Sequence, residues 1–382
     1  MAKIVLTAEN FAFGPIGKLL NVASLLINSG HTLIFVGYGT SLQLAKKFPF
    51  KKIYELDTDN PKSSNELESI ISTSDVLISS MDIPSVVAAK HLGKPVIWLD
   101  CLFWFWDRIP QEVLDVDLYI RERSMNDSKN DKKFAPLIKN LCSVGPIIGK
   151  INKSQREQKV LISFGGGEAS SWYKAGHDTN YPFIMTKILL NSVNWKKFNQ
   201  VIVATNERII RQLIKKFPQV PFQFTCLSHK KFIQEMAESK ITLITPGLVT
   251  AQIAFYSGTP TIFLPASNNS QYLQIEEFRQ RHLAPASVQL SDFMPKLKLD
   301  KLPALKSMQA VLLQLRQFEK SPDVQQQVGK KLNELINNQA SWEKKFVVNG
   351  KKFIANQGGN GAQAAADKIN DFILLARKRK RQ

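Results

Sequence analysis

Two acidic residues directly follow apolar runs that indicate strands, and parallel sheets place ligand-binding side chains at such strand ends. Glu9 comes after KIVLTA (3–8), and Asp100 ends PVIWLD (95–100). A carboxylate that is partly shielded from water has a raised pKa and can then act as a general base. We therefore predict that Glu9 and Asp100 are catalytic. For Glu9, the alternative is an ordinary solvated loop residue.

Aromatic residues accompany both carboxylates. Two phenylalanines and a glycine lie close to the first, and two tryptophans follow the second in the stretch CLFWFW. Such rings can stack on a flat ligand while a carboxylate supplies hydrogen bonds. The alternatives for the tryptophan stretch are packing beneath the sheet and insertion into a membrane. The residues predicted to form this small-ligand site are Phe11, Phe13, Gly14, Trp104 and Trp106.

Three successive glycines, Gly165, Gly166 and Gly167, follow the apolar run KVLISF (159–164). Glycine lets backbone N–H groups approach a ligand closely, and N–H groups ahead of a helix favour phosphate. The segment is not a Walker loop, because no Gly-Lys-Ser/Thr follows, and it does not match G-x-G-x-x-G. We predict a phosphate-binding loop, with a flexible turn as the alternative.

A second group of ligand-binding candidates lies in TPGLVTAQIAFYSGTPTIFLPASNNSQYLQ (245–274). Gly247 and Thr250 open a helix with N–H and hydroxyl donors that suit phosphate. The loop after the next strand is rich in amides, which donate and accept hydrogen bonds and therefore suit sugar hydroxyls. The alternative is an ordinary helix start and a solvated loop. The residues predicted here are Pro246, Gly247, Thr250, Asn268, Asn269 and Gln271.

Short β-rich runs, such as 3–8, 32–37 and 200–205, alternate with amphipathic stretches along most of the chain. This alternation is typical of parallel sheets with helices on both faces. Residues 124–157 are polar and break the rhythm, so we predict the interdomain linker there. Residues 296–382 are expected to be mostly helical. The sequence therefore predicts an α/β fold of two Rossmann-like doubly wound parallel-sheet domains with a cleft between them.

The chain has 382 residues, a formal net charge of +19 and three widely separated cysteines. The odd cysteine count argues against a disulfide framework and favours the cytoplasm. No apolar run approaches the ~18 residues of a membrane span, so no transmembrane segment is expected. The positive charge suits weak contact with an anionic membrane surface, above all through the tail RKRKRQ (377–382). No nucleic-acid-binding motif accompanies the charge, so we do not expect a nucleic-acid partner.

Metal-binding patterns are weak in this sequence. Asp57-Thr58-Asp59 and Asp115-Val116-Asp117 match an Asp-x-Asp pattern that can hold a divalent cation, but such tripeptides are common. The five histidines have no ligand spacing, and only His177 is kept as a candidate site residue. We therefore expect no metal site.

The stretch GPIGKLLNVASLLINSGHTLIFVG (14–37), taken with the block 245–274, resembles the GT-B glycosyltransferases that use nucleotide-sugar donors. In that family a helix reading LLN-x-A and a Gly-His turn follow the first strand. The donor domain has a glycine-rich loop, a Ser/His-Gly turn and a polar sugar-binding loop. The resemblance covers about residues 1–280 and returns at the last helix. The matching residues are Leu19, Leu20, Asn21, Gly30, His31, Gly165–Gly167, Pro246, Gly247, Thr250 and Asn268–Gln271.

The resemblance implies an acceptor-binding domain at 1–150 and a donor-binding domain at 151–360. It also implies that 361–382 is a helix that crosses back to the first domain and ends in the basic tail. The glycine loop, the 246–250 turn and Gln252 would hold a UDP-sugar, with the amides on the sugar and the aromatic site on the acceptor. Transfer would be metal-independent and inverting, with the nucleotide sugar as co-substrate and no other cofactor.

This sequence departs from the family pattern at two positions. Pro15 stands where many inverting members place a catalytic histidine, which is why Glu9 and Asp100 become the candidate bases. Ile253, with Gln252 as the nearest polar residue, stands where an acidic residue grips the donor ribose. Three stretches, ENFAFGPIGKL, WLDCLFWFW and DVDLYIRER, resemble more narrowly the cytosylglucuronate synthases, which join cytosine to glucuronate from a UDP donor.

Two alternatives to a transferase stay open at the level of the sequence. One is a non-catalytic basic binding module or peripheral membrane protein on the same fold. The other is a nucleotide-sugar epimerase or hydrolase, which would turn over the donor with no acceptor present. The sequence also leaves the oligomeric state open.

Overall fold

The chain forms two compact units, the first comprising Met1–Lys150 with Ile354–Gln382 and the second Ile151–Phe353. His177 and residues 380–382 of the basic tail lie outside the described residues. The computed structural model describes residues 1–125, 127–152, 155–169, 172–173, 176, 180–299 and 302–379.

The first unit is built on a seven-stranded sheet in which all neighbouring strands are parallel. The strand order is β3-β2-β1-β4-β5-β6-β7. Every residue of β4 and β5 is buried, as expected for a parallel sheet covered on both faces. The strands are β1 (Lys3–Ala8), β2 (Thr32–Gly37), β3 (Lys52–Glu55), β4 (Val76–Ser80), β5 (Val96–Asp100), β6 (Leu118–Glu122) and β7 (Leu141–Val144).

The second unit has a five-stranded parallel sheet of order β10-β9-β8-β11-β12, which repeats the order of the first five strands of the other sheet. The predicted fold class, two doubly wound parallel-sheet domains, is therefore confirmed. The strands are β8 (Glu157–Gly165), β9 (Gln200–Thr205), β10 (Gln223–Thr225), β11 (Ser239–Ile244) and β12 (Thr261–Phe263).

Fourteen α-helices accompany the sheets in the described ranges, and none of them is long and apolar enough to cross a bilayer. They are α1 (Gly14–Asn28), α2 (Gly39–Ala45), α3 (Ser64–Ser72), α4 (Ile83–His91), α5 (Asp127–Phe134), α6 (Tyr181–Ser192), α7 (Glu207–Lys216), α8 (His229–Glu238), α9 (Leu248–Ser257), α10 (Asn269–Gln280), α11 (Ala304–Glu319), α12 (Pro322–Asn337), α13 (Gln339–Asn356) and α14 (Ala362–Arg379).

The predicted linker at 124–157 is partly wrong, because it contains α5 and β7. β7 is the edge strand of the first sheet and only Val144 of its four residues is fully buried, so the apolar run that marks a central strand is absent. A second correction concerns the loop predicted at Ser267–Gln271. α10 begins at Asn269, with Asn268 as its N-cap, because a capping asparagine starts a helix as readily as it occupies a loop.

The end of the chain returns to the first unit and completes its core. Leu19 and Val22 of α1 and Ala365 and Ile369 of α14 are fully buried in one apolar cluster. α14 can approach because Gly145 and Gly361 bring two backbones together. A Cβ on Gly361 would lie 2.2 Å from the carbonyl oxygen of Gly145, so no larger residue fits there.

A buried ion pair fixes the segment that leaves the first sheet. Lys18 Nζ lies 2.8 Å from Glu122 Oε2, and both side chains are almost fully buried. Ile147 joins the pair, since its carbonyl accepts from Lys18 Nζ at 3.0 Å and its N–H donates to Glu122 at 3.1 Å. Asn21 Nδ2 donates to the same carbonyl at 3.2 Å, so this residue of the LLN-x-A match has a structural partner.

Candidate functional site

In a doubly wound sheet, ligands bind at the carboxyl ends of the strands where the strand order reverses. The reversal lies between β1 and β4 in the first unit and between β8 and β11 in the second. Each unit is therefore expected to have a binding edge at that point.

Glu9 occupies this edge in the first unit, directly after β1. Its N–H donates to the carbonyl of Ser80, the last residue of β4, at 3.0 Å, so the residue bridges the two strands. The side chain is partly buried. Burial, and then the negative charges of Asp82 and Asp59, raise the pKa of the Glu9 carboxyl to about 8. Glu9 is thus protonated at neutral pH and becomes a base when it ionises.

Asp82 follows β4 on the other side of the same reversal point. It is 2 % exposed and caps α4, accepting from Ser85 N at 3.4 Å and from Ser85 Oγ at 2.9 Å. Burial raises its pKa to about 6, although hydrogen bonds from Ser85 and Thr58 oppose the rise. Sequence reasoning missed Asp82. The available signal was an aspartate after a buried strand and immediately before a helix.

The loop between β1 and α1 is held in place by hydrogen bonds from α2. Asn10 Oδ1 accepts from the backbone N–H of Thr40 at 2.8 Å, and the Thr40 hydroxyl lies 2.6 Å from the Ala12 carbonyl. Ala12 has a positive φ of 49°, which marks a tight turn. The predicted acceptor residues Phe11, Phe13 and Gly14 lie in or next to this turn and are partly buried.

Pro15 lies in the first turn of α1, where proline is favoured because its missing N–H would have no helical partner. It is buried, and its carbonyl accepts from the Ser80 hydroxyl at 3.0 Å. This position therefore carries no titratable group, and Glu9 is the ionisable residue of the loop.

Asp100 lies at the carboxyl end of β5, but its oxygens are already used. Oδ1 accepts from the N–H of Leu102 at 2.7 Å, and Oδ2 accepts from Trp106 Nε1 at 2.8 Å and from the Tyr119 hydroxyl. Asp100 is 2 % exposed, and burial raises its pKa to about 6 against these hydrogen bonds. The geometry suits a residue that shapes the loop 101–106 after β5, here called the tryptophan loop, better than one that takes a proton from a substrate.

The tryptophan loop is fastened from the other side by α5 and β6. Asn130 Nδ2 donates to the Phe103 carbonyl at 2.5 Å, and the Arg121 guanidinium lies 4.6 Å from the centre of the Phe103 ring. Phe103 is core, while Trp106 is partly buried. Trp104 is 9 % exposed, and its Nε1 has no hydrogen-bond partner among the described residues.

The glycine loop of the second unit follows β8. Gly165 and Gly167 have φ of +64° and +63°, a region that favours glycine. A Cβ on Gly167 would lie 2.8 Å from Cδ1 of Ile209, so the loop also packs tightly on α7. Asn206, the N-cap of α7, donates through Nδ2 to the Gly166 carbonyl at 2.6 Å. The loop is therefore shaped by α7, a contact that the sequence did not indicate.

An acidic side chain next to the glycine loop is neutralised within the same unit. Arg208 Nε donates to Glu168 Oε1 at 2.5 Å, and Arg208 Nη2 donates to the Tyr173 hydroxyl at 3.1 Å. Sequence reasoning missed this pair, because forty residues separate its members.

The second side of this edge is the start of α9, after β11. Gly247 is its N-cap, and among the described residues no side chain makes a capping hydrogen bond there, so the first-turn N–H groups have no side-chain cap, as an anion site would require. Pro246 precedes the cap and is buried, and Thr250 lies in the first turn and is partly buried. Gln252 is fully buried.

The amide residues after β12 use their oxygens to start α10. Asn268 Oδ1 accepts from the N–H of Gln271 at 2.9 Å, and Gln271 Oε1 accepts from the N–H of Ser267 at 2.9 Å. Asn269 Nδ2 contacts the Ala304 carbonyl at 3.4 Å. Within the described part of the chain, the NH2 groups of Asn268 and Gln271 have no partner. They can donate to a ligand, whereas their oxygens cannot readily accept from one.

The described residues contain no group of three or more histidine, cysteine, aspartate or glutamate side chains placed to hold a metal ion. Asp115 pairs with Lys90, and Asp117 accepts from the N–H of Val96 at 2.9 Å. His31 accepts from the N–H of Ala2 through Nδ1 at 3.0 Å, and its Nε2 lies 2.9 Å from Asn370. Asp115, Asp117 and His31 therefore each have a structural partner within the protein.

No family model and no curated protein matches the sequence. Solved structures do match, at low identity. The spinosyn forosaminyltransferase SpnP has a TM-score of 0.56 and 12 % identity, covering 97 % of this chain and 99 % of that one. The spinosyn rhamnosyltransferase SpnG has a TM-score of 0.54 and 10 % identity, covering 97 % and 100 %.

A third similar structure is the glycosyltransferase VinC in complex with dTDP, with a TM-score of 0.50 and 10 % identity, covering 98 % of this chain and 100 % of that one. Similarity at this identity concerns the fold alone. Together with the two parallel sheets, it shows that this chain has the GT-B glycosyltransferase fold.

Proposed function

We propose that this protein is an inverting glycosyltransferase that moves a sugar from a UDP-sugar to a small acceptor. The observation that carries the proposal is the chemistry of the two binding edges. The edge at β1 and β4 holds an ionisable carboxyl, Glu9, and the edge at β8 and β11 presents backbone N–H groups and glycines. A transferase needs both: a group that accepts a proton and a group that stabilises a departing diphosphate.

The donor would bind at the second unit. The uncapped start of α9 at Gly247 would receive the diphosphate, because first-turn N–H groups and the helix dipole favour negative charge. Gly165–Gly167 would let the nucleotide approach the backbone. The NH2 groups of Asn268 and Gln271 would donate to sugar hydroxyls, and Gln252 would lie near the ribose. In this arrangement the helix start stabilises the leaving group, and neither a metal nor a further cofactor is required.

The acceptor would bind at the first unit, with Glu9 as the base. Within the described ranges the Glu9 side chain makes no hydrogen bond like those of Asp100, whose oxygens hold the tryptophan loop. Ionised Glu9 would take the proton from the acceptor N–H or O–H as that atom attacks the anomeric carbon. Attack opposite the departing diphosphate inverts the configuration.

A flat, polar acceptor fits the aromatic residues of this unit. The indole N–H of Trp104 is buried and has no hydrogen-bond partner in the part of the chain that the structure describes, and the ring centre of the neighbouring Phe105 lies 5.4 Å away. A pyrimidine such as cytosine could receive this hydrogen bond at its carbonyl and stack on an aromatic face. Together with the resemblance to cytosylglucuronate synthases, this supports cytosine as the first acceptor to test.

The test is a thermal-shift series with UDP-, dTDP- and GDP-sugars, followed by incubation of the stabilising donor with cytosine and mass detection of a glycoside. We expect a UDP-sugar to raise Tm and a glycoside of inverted configuration to form. If no nucleotide sugar raises Tm, the donor site is wrong. Donor turnover without an acceptor would indicate a hydrolase or epimerase. Donor binding without any turnover would favour a non-catalytic binding module.

A further inference from the structure

The strands of the first sheet begin at the edge opposite to the binding edge, and α14 ends there. Asp75, immediately before β4, accepts from the backbone N–H of Lys3 at 2.9 Å and from Arg377 Nη2 of α14 at 3.1 Å. Asn370, two turns earlier on α14, donates through Nδ2 to Ser29 Oγ, just before β2, at 3.2 Å. These contacts hold the last turns of α14 against the amino ends of the strands.

Two leucines in the last turns of α14 lie outside the core. Ile373 is 4 % exposed and belongs to the core cluster of the first unit, whereas Leu374 and Leu375 are 61 % and 58 % exposed. Among the large apolar side chains that are exposed in the described ranges, only these two follow one another in the sequence. Because Ile373 is buried before them and Arg377 is bound to Asp75 after them, their exposure belongs to a folded helix and not to a frayed end.

Three basic side chains contact the loop 73–75, which precedes β4. Lys3 Nζ donates to a threonine hydroxyl of this loop at 2.9 Å, and Lys94 Nζ donates to a serine carbonyl of the loop at 2.9 Å. Arg377 is the third, through the contact with the aspartate that ends the loop. Together with the end of α14 they form one surface, which we call the amino edge. It consists of Lys3, Lys94, Leu374, Leu375, Arg377 and Lys378.

The amino edge carries more positive than negative charge. Two acidic residues lie beside it: Asp75, which is paired with Arg377, and the exposed Asp371, one turn before Leu375. Lys378 is exposed, and the sequence continues with three further basic residues, RKR (379–381). An apolar pair is thus flanked by positive charge.

We propose that the amino edge is a docking surface for an anionic lipid bilayer, with Leu374 and Leu375 inserted among the acyl chains and the basic groups on the lipid headgroups. The affinity of a helix for a bilayer surface grows with the apolar area that it buries and with its attraction to anionic lipids. The segment 374–378 supplies both contributions. Nucleic acid would use the positive charges alone, because phosphate groups gain nothing from exposed leucines.

Docking through the amino edge leaves the binding edge of the first unit open to water. The two ends of parallel strands lie at opposite edges of a sheet, and Glu9 follows β1 while Lys3 begins it. The bilayer therefore does not compete with a water-soluble acceptor. The inference does not depend on the proposed function, because the lipid contact uses none of the residues assigned to the donor or the acceptor.

The first test is co-sedimentation of the full-length protein with vesicles of phosphatidylcholine alone and of phosphatidylcholine mixed equally with phosphatidylglycerol. We expect binding to the mixed vesicles, much weaker binding to phosphatidylcholine alone, and a loss of affinity at high salt, because salt screens the basic groups. Leu374→Ser/Leu375→Ser should weaken binding to the mixed vesicles about tenfold or more, since two leucine side chains no longer leave water.

Leu305→Ser/Leu313→Ser is the matched control for the leucine pair. These leucines lie on α11 in the second unit and are 53 % and 58 % exposed, so the change is chemically the same but leaves the amino edge intact. It should leave vesicle binding unchanged. A thermal melt confirms that both double variants fold.

A second pair of variants tests the charge. Lys378→Glu should weaken binding to the mixed vesicles. Lys368→Glu makes the same change at an exposed position of the same helix, about 15 Å earlier along its axis, and should weaken binding less. An equal loss in both variants would mean that net charge and not the amino edge determines binding, which contradicts the inference.

The second test follows insertion directly and removes no basic group. Leu375→Cys labelled with an environment-sensitive fluorophore should shift its emission to shorter wavelength when mixed vesicles are added, whereas labelled Leu313→Cys should not. The unmodified protein, treated with the same reagent, gives the background from Cys101, Cys142 and Cys226. A label at 375 that stays in water on bound protein overturns the insertion of α14.

The remaining outcomes also decide the question. Absence of binding to the mixed vesicles at low salt, or equal binding by the unmodified protein and Leu374→Ser/Leu375→Ser, overturns the inference. Binding of a nucleic-acid duplex in place of vesicles would assign the amino edge to nucleic acid. A lipid-free dimer that dissociates in the leucine variant, again without vesicle binding, would assign it to a second copy of the chain. The rise in Tm with a UDP-sugar should be the same in all variants, so failure of the donor site would be seen separately.

Discussion

The carboxyl ends of β1 and β4 in the first unit and of β8 and β11 in the second occupy the same place in the same strand order. In the first unit this place collects carboxyl groups, Glu9 and Asp82, with raised pKa values. In the second it collects glycines and an uncapped helix start, and the acidic Glu168 nearby is paired with Arg208. The same strand order therefore carries two edges of different electrostatic character. The loops that follow the strands, and not the strands themselves, supply the groups that make this difference.

The comparison depends most heavily on Glu9. We predict that Glu9→Gln lowers kcat about 10²- to 10⁴-fold, the contribution typical of a general base. The affinity for the UDP-sugar, measured by calorimetry, should stay unchanged, because Glu9 belongs to the other unit. Asp57→Asn, which removes an exposed carboxylate from the same unit, should keep turnover. Loss of donor affinity in Glu9→Gln would contradict the assignment of acceptor binding to the first edge and donor binding to the second.

Placing a carboxyl group at the second edge, as at the first, should weaken its binding of a nucleotide. Gly247 has an extended backbone, with φ of −88°, that accepts a side chain. Gly247→Asp should weaken UDP binding by about tenfold or more, since a carboxylate at the helix start repels the diphosphate. The same change should raise the stability of the unit by a few tenths of a kcal/mol, because aspartate caps helices better than glycine. Gly247→Asn, an uncharged cap, is the control and should lose much less affinity.

The raised pKa of Glu9 should also lower the free energy of unfolding at high pH. The pKa of Glu9 is raised from 4.5 to about 8 on folding, so the native state holds its proton where the unfolded chain has lost it. Stability from this group is therefore greatest below pH 4.5 and is lost as the pH rises from 4.5 to 8, by about 5 kcal/mol in all. Denaturant melts from pH 5 to 9 should show a shallower decline in Glu9→Gln. An identical pH dependence in both proteins would contradict the raised pKa.

A smaller effect on stability and turnover is expected at Asp100. This residue holds the tryptophan loop in place and is not one of the carboxyl groups at the β1 and β4 ends. Asp100→Asn places an NH2 group against the donors of Trp106 and Tyr119, at a cost of about 2 kcal/mol. The acceptor KM should rise more than kcat falls, because the tryptophan loop loses its anchor. Asp117→Asn, which alters one contact to the Val96 N–H, should cost less. A fall in kcat at unchanged KM would instead assign Asp100 a part in the chemistry.

The strands that have two long apolar faces could be predicted from the sequence alone. β1, β2 and β9 have the predicted bounds, since a buried parallel strand is a continuous apolar run. β7 was missed because an edge strand of four residues lacks such a run. The sequence predicts a loop where α10 begins, because asparagine and serine are common both in loops and at helix N-caps.

The binding edges were predicted in outline, but the partners within them were not. Glu9 and Gly247 could be placed because each directly follows a strand. The interaction of Glu9 with Asp82 depends on β1 and β4 being neighbours, which no local pattern records. Whether Asp100 is free or engaged depends likewise on Tyr119, which reaches it from β6.

The placement of α14 has a consequence for how the chain is made. Ala365 and Ile369 belong to the core of the unit that contains the first 150 residues. The ribosome therefore releases β1 to β7 long before the helix that completes their core exists. The second unit is contiguous and can mature while synthesis continues, which reverses the usual order in which N-terminal domains finish first. A nascent chain of this protein thus carries a first unit with an incomplete core until α14 has been synthesised.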